Sequence, residues 1–126
     1  IMRINAIFTI LVSLSISVIS CKNQEENTDV TILSVAEAKT ILAEDPEAVF
    51  LDVRTPEEFR DGHIEGAVLI NFFDTNFKQQ VASLDKNKPV YIYCRSGNRS
   101  EKAGLILTQM GFTEIFDIEE GYMGWE

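Results

Sequence analysis

Basic residues are scarce in this chain. Eleven lysines and arginines stand against twenty aspartates and glutamates, a net charge of −9 over 126 residues. That balance argues against a nucleic-acid partner, which requires a basic face to replace its counterions. Three prolines and seven glycines are too few for a low-complexity or disordered chain. With one histidine and two cysteines, no Cys/His cluster has metal-ligand spacing, so neither a metal nor another cofactor is expected. Apolar and charged fractions are ordinary, and the length suits one domain with a single core. The chain carries no sign of its oligomeric state and no internal repeat.

Long apolar runs are missing everywhere except in the first twenty residues. There Arg3 is the only charge, and the stretch 4–19 is broken only by small or polar residues. A short basic region followed by an apolar one is a secretory signal pattern, and its serines make a spanning helix a poor alternative. Val18-Ile19-Ser20-Cys21 resembles the lipobox of bacterial lipoproteins. That resemblance implies cleavage before Cys21, a lipid on Cys21, and a lipid-anchored protein of the cell envelope, periplasm-facing or on the surface. A plain signal peptide or an uncleaved anchor is the alternative. The expected division is therefore a signal segment over 1–20, an acylated cysteine with a polar, acidic tether over 21–30, and a folded domain over 31–126. If Cys21 is acylated, Cys94 is the only free thiol and no intramolecular disulfide can form.

Cys94 lies in the stretch Cys94-Arg95-Ser96-Gly97-Asn98-Arg99-Ser100, just after the apolar run Val90-Tyr91-Ile92-Tyr93. The run reads as a buried strand. Beyond Ser100, Ala103, Ile106, Leu107 and Met110 recur at helical spacing. Cys94 thus sits where a strand ends, shortly before a helix. Backbone amides of the intervening turn can converge on an anion, and the positive end of the helix adds to that field. A thiol placed there ionises more readily, and the thiolate is the nucleophile. The competing reading is a small buried hydrophobe at a strand end.

Strand and helix signals alternate along the rest of the domain. Strands are expected at Val30–Leu33, Ala48–Val53, Val68–Ile70, Val90–Tyr93 and Ile115–Phe116. Ser34 with Glu37, and Thr55 with Glu58, are capping-box pairs at two helix starts, the second helped by Pro56 and stopped by Gly62. Phe77, Val81 and Leu84 predict a helix over Asp74–Leu84, and Gly111 ends the helix after Ser100. Such alternation, with strands apolar throughout, implies an α/β fold with a mainly parallel sheet covered on both faces. Active sites of such sheets lie at the carboxyl ends of strands, where Asp52 and Cys94 both fall.

Five blocks in order then resemble one family. Leu51-Asp52-Val53-Arg54, Glu57-Glu58-Phe59, Gly62-His63-Ile64-Glu65-Gly66-Ala67, the Cys94–Ser100 stretch and Gly121-Tyr122-Met123-Gly124-Trp125 are similar to a single rhodanese domain covering 31–126. The resemblance implies a central, mostly parallel five-stranded sheet with helices on both faces, and a cysteine that carries sulfane sulfur as a persulfide. Cys94 is then the nucleophile toward thiosulfate or a persulfide donor, and a thiol or cyanide is the acceptor. Ser96, Gly97, Asn98, Arg95 and Arg99 form the substrate-binding loop, with the amides of 95–99 around the transferred sulfur. Arg95 attracts the anionic donor or is simply a solvated surface residue. Arg99 holds the loop by reaching a carboxylate or loop carbonyls. Asp52, Arg54, Glu58, His63 and Ser100 are supporting residues; His63 as a base for the cysteine is the alternative. Tyr122 and Trp125 are packing residues. Glu65 stands where the family usually has proline, and the family commonly continues beyond the tryptophan. Two further readings share the fold: a phosphatase or arsenate reductase, and a non-catalytic binding module. The related phosphatases have five residues between cysteine and arginine, whereas four separate Cys94 from Arg99.

Overall fold

The computed structural model describes residues 29–126, so the expected signal segment over 1–20 and Cys21 lie outside the described residues. In chain order the elements are β1 (Thr31–Leu33), α1 (Val35–Glu44), β2 (Val49–Asp52), α2 (Pro56–Asp61), β3 (Val68–Leu69), α3 (Phe77–Val81), β4 (Val90–Tyr93), α4 (Asn98–Gln109), β5 (Ile115–Ile118) and α5 (Gly121–Trp125). The five strands form one sheet in the order β1-β5-β4-β2-β3, and every pair is parallel. The fold is α/β, and the sheet expected to be mostly parallel is parallel throughout.

A sheet buried on both faces needs apolar side chains on both. Leu51, Val90, Ile92 and Ile115 pack on one side with Phe77 and Val81 of α3 and Ala103 and Leu107 of α4. Phe50, Tyr93 and Ile118 point the other way, against Val35 and Ala38 of α1, Ile64, and Tyr122 and Trp125 of α5. Alternate residues of one strand therefore serve two separate cores.

Both capping boxes form. Ser34 Oγ accepts from the Glu37 amide at 3.1 Å, and Thr55 Oγ1 accepts from the Glu58 amide at 3.3 Å. One helix differs from expectation. The segment expected as a helix over 74–84 is helical only over Phe77–Val81. Its flanks close as turns three residues long, Phe77 N to Asp74 O at one end and Leu84 N to Val81 O at the other. Asn76 supplies no side-chain cap to extend it. The helix expected about five residues after Cys94 is α4, which starts at Asn98 and has Arg99 and Ser100 in its first turn. Its buried stripe is Ser100, Ala103, Gly104 and Leu107, while Ile106 and Met110 are only half-buried. A polar residue begins the buried face.

Successive strands lie on opposite sides of the β2/β4 pair. The chain leaves β2 for β3 at one edge and leaves β4 for β5 toward the other. A crevice opens between the carboxyl ends of such a pair. Asp52 pairs with Tyr93 in register, and Val53 N–H donates to the Tyr93 carbonyl at 3.1 Å. The segments carrying Asp52 and Cys94 therefore emerge side by side.

Candidate active site

Cys94 follows the last residue of β4 and is 1% exposed. Its sulfur lies inside the turn that leads into α4. The Gly97 amide donates to Sγ at 3.1 Å, and Ser100 Oγ stands 3.5 Å from the same atom. Ser100 is also within 3.1 Å of the Gly97 carbonyl. Gly97 adopts φ +104°, in the left-handed region, and a Cβ there would meet the Glu119 carbonyl oxygen at 2.6 Å. Both the turn and the close approach require glycine.

Burial pushes the Cys94 thiol up, but the Ser100 hydroxyl and the amides of Ser100, Gly97 and Ser96 outweigh it. The net effect places the thiol below its ordinary value. The amides acting on the thiol belong to Ser96, Gly97 and Ser100. Arg95 and Asn98 are exposed.

The turn is clamped from two sides. Arg99 reaches a carboxylate, that of Glu58, with Nη1 to Oε1 at 2.7 Å and Nη2 to Oε2 at 2.9 Å. Glu58 is thereby both the capping-box residue of α2 and the anchor of the turn. The Arg99 guanidinium holds the Glu58 carboxyl at about 2, so it stays ionised at any ordinary pH. On the opposite side, the amides of Tyr122 and Met123 donate to the carbonyls of Cys94 and Arg95 at 2.8 and 3.1 Å. Gly121 permits this contact: it sits at φ +63°, and a Cβ would come within 2.7 Å of the Cys94 carbonyl oxygen. Sequence reasoning gave Gly121 no role in holding the turn, although it opens the last of the five blocks.

Beneath the turn lies a buried polar cluster. Asp52 is fully buried and Arg54 is 3% exposed. Asp52 accepts from the Arg54 amide at 2.9 Å, from Arg54 Nε at 3.0 Å and from Arg54 Nη2 at 2.7 Å. The Tyr93 hydroxyl donates to Asp52 Oδ2 at 2.7 Å and accepts from the Ile64 amide at 3.1 Å. Arg54 Nη2 also donates to the Gly62 carbonyl at 2.7 Å, and its guanidinium lies 4.4 Å from the Tyr122 ring centroid. Burial alone pulls the Arg54 guanidinium down, yet its bonds to Asp52 raise it above its usual value. Burial and the Asp52 carboxylate hold the Tyr93 phenol well above its own. Tyr93 was read only as a strand residue. Its polar tip is what ties β4 to Asp52 and to the segment after α2.

A cleft of about 260 Å³ opens beside the turn, lined among others by Arg54, Glu58, Arg95, Tyr122 and Met123. Arg95 thus stands at its mouth, and Tyr122 forms a wall as well as packing. The structure does not bring His63 into this group. Its Nδ1 is 2.8 Å from the Phe59 carbonyl, and its ring stacks on Phe59 with centroids 3.6 Å apart. Among the described residues, no group of three or more His, Cys, Asp or Glu is placed to hold a metal ion.

The model of the rhodanese-like domain matches residues 34–126. Among curated proteins, the chain is 40% identical over 78 residues to the uncharacterized protein YqhL of Bacillus subtilis, spanning 62% of this chain and 60% of that protein. It is 38% identical over 86 residues to the chloroplastic thiosulfate sulfurtransferase 16 of Arabidopsis thaliana, spanning 60% of this chain and 72% of the relative. Among solved structures, a rhodanese-like domain protein from Staphylococcus aureus superimposes with a TM-score of 0.70 at 31% identity, over 77% of this chain and 92% of that one. The five-strand parallel sheet, the cysteine turn at its carboxyl edge and these likenesses agree: the chain belongs to the rhodanese-like domain family.

Proposed function

We propose that the protein is a sulfurtransferase that carries sulfane sulfur on Cys94. The observation that carries this reading is the Cys94 sulfur itself, held below its ordinary thiol pKa by Ser100 and by the turn amides. The reaction runs in two displacements. The Cys94 thiolate attacks the outer sulfur of thiosulfate, a new S–S bond forms, and sulfite leaves with the electron pair of the bond that breaks. The terminal sulfur of the resulting persulfide is anionic and lies within reach of the same donors that favour the thiolate. Cyanide, or a thiol, then takes that sulfur and returns Cys94 to the thiolate. Arg95, exposed at the mouth of the cleft, attracts the anionic donor. The relative named a thiosulfate sulfurtransferase supports the same chemistry.

Loop length separates this reading from a phosphatase of the same fold. Four residues lie between Cys94 and Arg99. A turn this short, with its amides directed at one sulfur atom, makes a small cradle rather than a ring around a tetrahedral oxyanion. Misplacement by about 1 Å costs on the order of a hundredfold in rate, so one residue of loop matters. The expected result is turnover of thiosulfate and cyanide to sulfite and thiocyanate, with hydrolysis of an aryl phosphate at background. Cys94-dependent phosphatase activity in the unaltered protein would instead favour the oxyanion reading.

For the amino-terminal segment we propose, from its sequence alone, lipid attachment at Cys21 and a place in the cell envelope. A Cys21→Ser variant should then leave the membrane fraction or accumulate unprocessed. Recovery of the unaltered protein in the soluble fraction, without lipid, would end this idea.

A further inference from the structure

The cysteine turn lies between two clefts. The first, of about 260 Å³, is lined among others by Arg54, Glu58, Asp61, Arg95 and Glu126. The second, of about 400 Å³, is lined by Ser96, Gly97 and Asn98 of the turn and by Glu101, Asp117 and Glu119. The Gly97 amide also meets Cys94 Sγ at 3.1 Å, so one residue borders both the second cleft and the sulfur.

Most of these charges have no counter-charge. Arg54 is paired with Asp52, and Glu58 with Arg99, each at 2.7 Å. The remaining ion pair among the described residues, Arg60 with Glu57, lines neither cleft. Asp61 and Glu126 in the first cleft, and Glu101 and Glu119 in the second, are therefore unpaired among the described residues, and all four are exposed. Asp117 is 2% exposed, and its Oδ1 has no hydrogen-bond partner. An unpaired buried carboxylate oxygen is costly, and an aliphatic residue would complete the strand without that cost. Against these five carboxylates Arg95 is the one unpaired cation lining either cleft, again among the described residues.

A cleft lined by one sign of charge focuses its field on whatever enters it. Thiosulfate carries no positive group to offset the carboxylates, and Arg95 alone draws it in. An acceptor thiol reacts as its thiolate, which brings one more negative charge up to the persulfide. An ammonium group on the same small molecule cancels that charge and is itself attracted by the carboxylates.

We propose that the sulfur acceptor is a small thiol carrying an ammonium group, selected by the unpaired carboxylates on both sides of the cysteine turn. The inference rests on Cys94 being the persulfide carrier of the proposed function. In the transfer, the acceptor's thiol proton passes to the anionic outer sulfur of the persulfide, and the thiolate then attacks that atom. A new S–S bond forms on the acceptor, the bond to Cys94 breaks, and Cys94 leaves as the thiolate with the electron pair. The acceptor departs as a hydropersulfide.

Methanethiosulfonate reagents test the field without any acceptor, since the Cys94 thiolate takes their sulfenyl group and methanesulfinate leaves. The aminoethyl (cationic), methyl (neutral) and sulfonatoethyl (anionic) reagents are compared on the full chain and read at the Cys94 peptide by mass. The cationic-to-anionic rate ratio, divided by that of a free cysteine derivative, should exceed unity at least about fivefold at low salt and fall toward unity in ~1 M salt. Asp61→Asn and Glu101→Gln should each lower it about twofold and leave the neutral reagent's rate in place, while Arg95→Gln should raise it about twofold. Both carboxylates are exposed, so both variants should fold. Protein loaded with thiosulfate gives the second arm. Cysteamine should discharge the persulfide at least about fivefold faster than 3-mercaptopropionate at equal thiolate concentration, and Asp61→Asn combined with Glu101→Gln should narrow that gap. A normalised ratio near unity, or one that neither substitution moves, overturns the inference while persulfide formation still upholds the proposed function. Failure of Cys94 to take sulfur from thiosulfate, although the neutral reagent reaches it, defeats the proposed function and this inference with it.

Discussion

Cys94→Ser is expected to reduce thiosulfate:cyanide turnover to background, at least about a thousandfold below the unaltered protein, because the substitution removes the nucleophile itself. Serine fits the site sterically. Its oxygen is smaller than sulfur, and the Gly97 amide and Ser100 hydroxyl that now face Sγ would still face a polar atom. The fold should therefore survive, and far-UV circular dichroism should superimpose. The chemistry cannot survive, since a hydroxyl at neutral pH is neither ionised by this turn nor a carrier of sulfane sulfur. Intact mass supplies an independent measure. The unaltered protein should gain about 32 Da on Cys94 after thiosulfate and lose it on adding cyanide, as a persulfide intermediate requires. The serine variant should show neither change. Appreciable turnover in that variant would mean that the sulfur passes elsewhere, and the proposed function would be wrong.

Asp52→Ala is expected to cost about 3–5 kcal/mol of stability, the usual penalty for removing one partner of a buried ion pair. Asp52 is fully buried and takes hydrogen bonds from the Arg54 amide, the Arg54 guanidinium and the Tyr93 hydroxyl. Alanine leaves the buried guanidinium charge with only the Gly62 carbonyl and the phenol without its acceptor. For a domain of this size the melting temperature should fall by more than about 10 °C. The double variant Asp52→Ala/Arg54→Ala should be no less stable than Asp52→Ala alone, because removing the orphaned charge removes most of the penalty. A melting temperature for Asp52→Ala within about 2 °C of the unaltered protein would show that the cluster relaxes or hydrates, contrary to its burial.

The strongest local signals were legible in the sequence. Ser34/Glu37 and Thr55/Glu58 marked two helix starts because a capping box is a contact over three residues. The strand Val90–Tyr93 was legible because a strand buried on both faces must be apolar throughout. The helix over 74–84 was over-read because Phe77, Val81 and Leu84 satisfy helical spacing even when turns close either end. Spacing records which residues are buried, not how the backbone between them is bonded. The start of α4, expected about five residues after Cys94, falls at Asn98, because the glycine-bearing turn and the apolar spacing beyond Ser100 bracket it.

What the sequence by itself determined was the α/β alternation, the caps and the placing of Cys94 at a strand end before a helix, all of which depend on residues within a few positions of one another. Only the tertiary structure decided which groups meet at that cysteine. The all-parallel order β1-β5-β4-β2-β3 sets the end of β2 beside the end of β4, and with it the contact of Tyr93 with Asp52 across 41 positions. The same packing makes Glu58, a helix cap by its local pattern, the anchor of Arg99 across another 41 positions. It also turns Tyr122 and Met123 into donors to the cysteine turn and places Asp117 in one cleft with Ser96 and Gly97. No local rule relates residues so far apart. Their meeting follows from burying both faces of one sheet, and a single residue such as Glu58 then answers to two constraints of which sequence spacing reveals only the nearer.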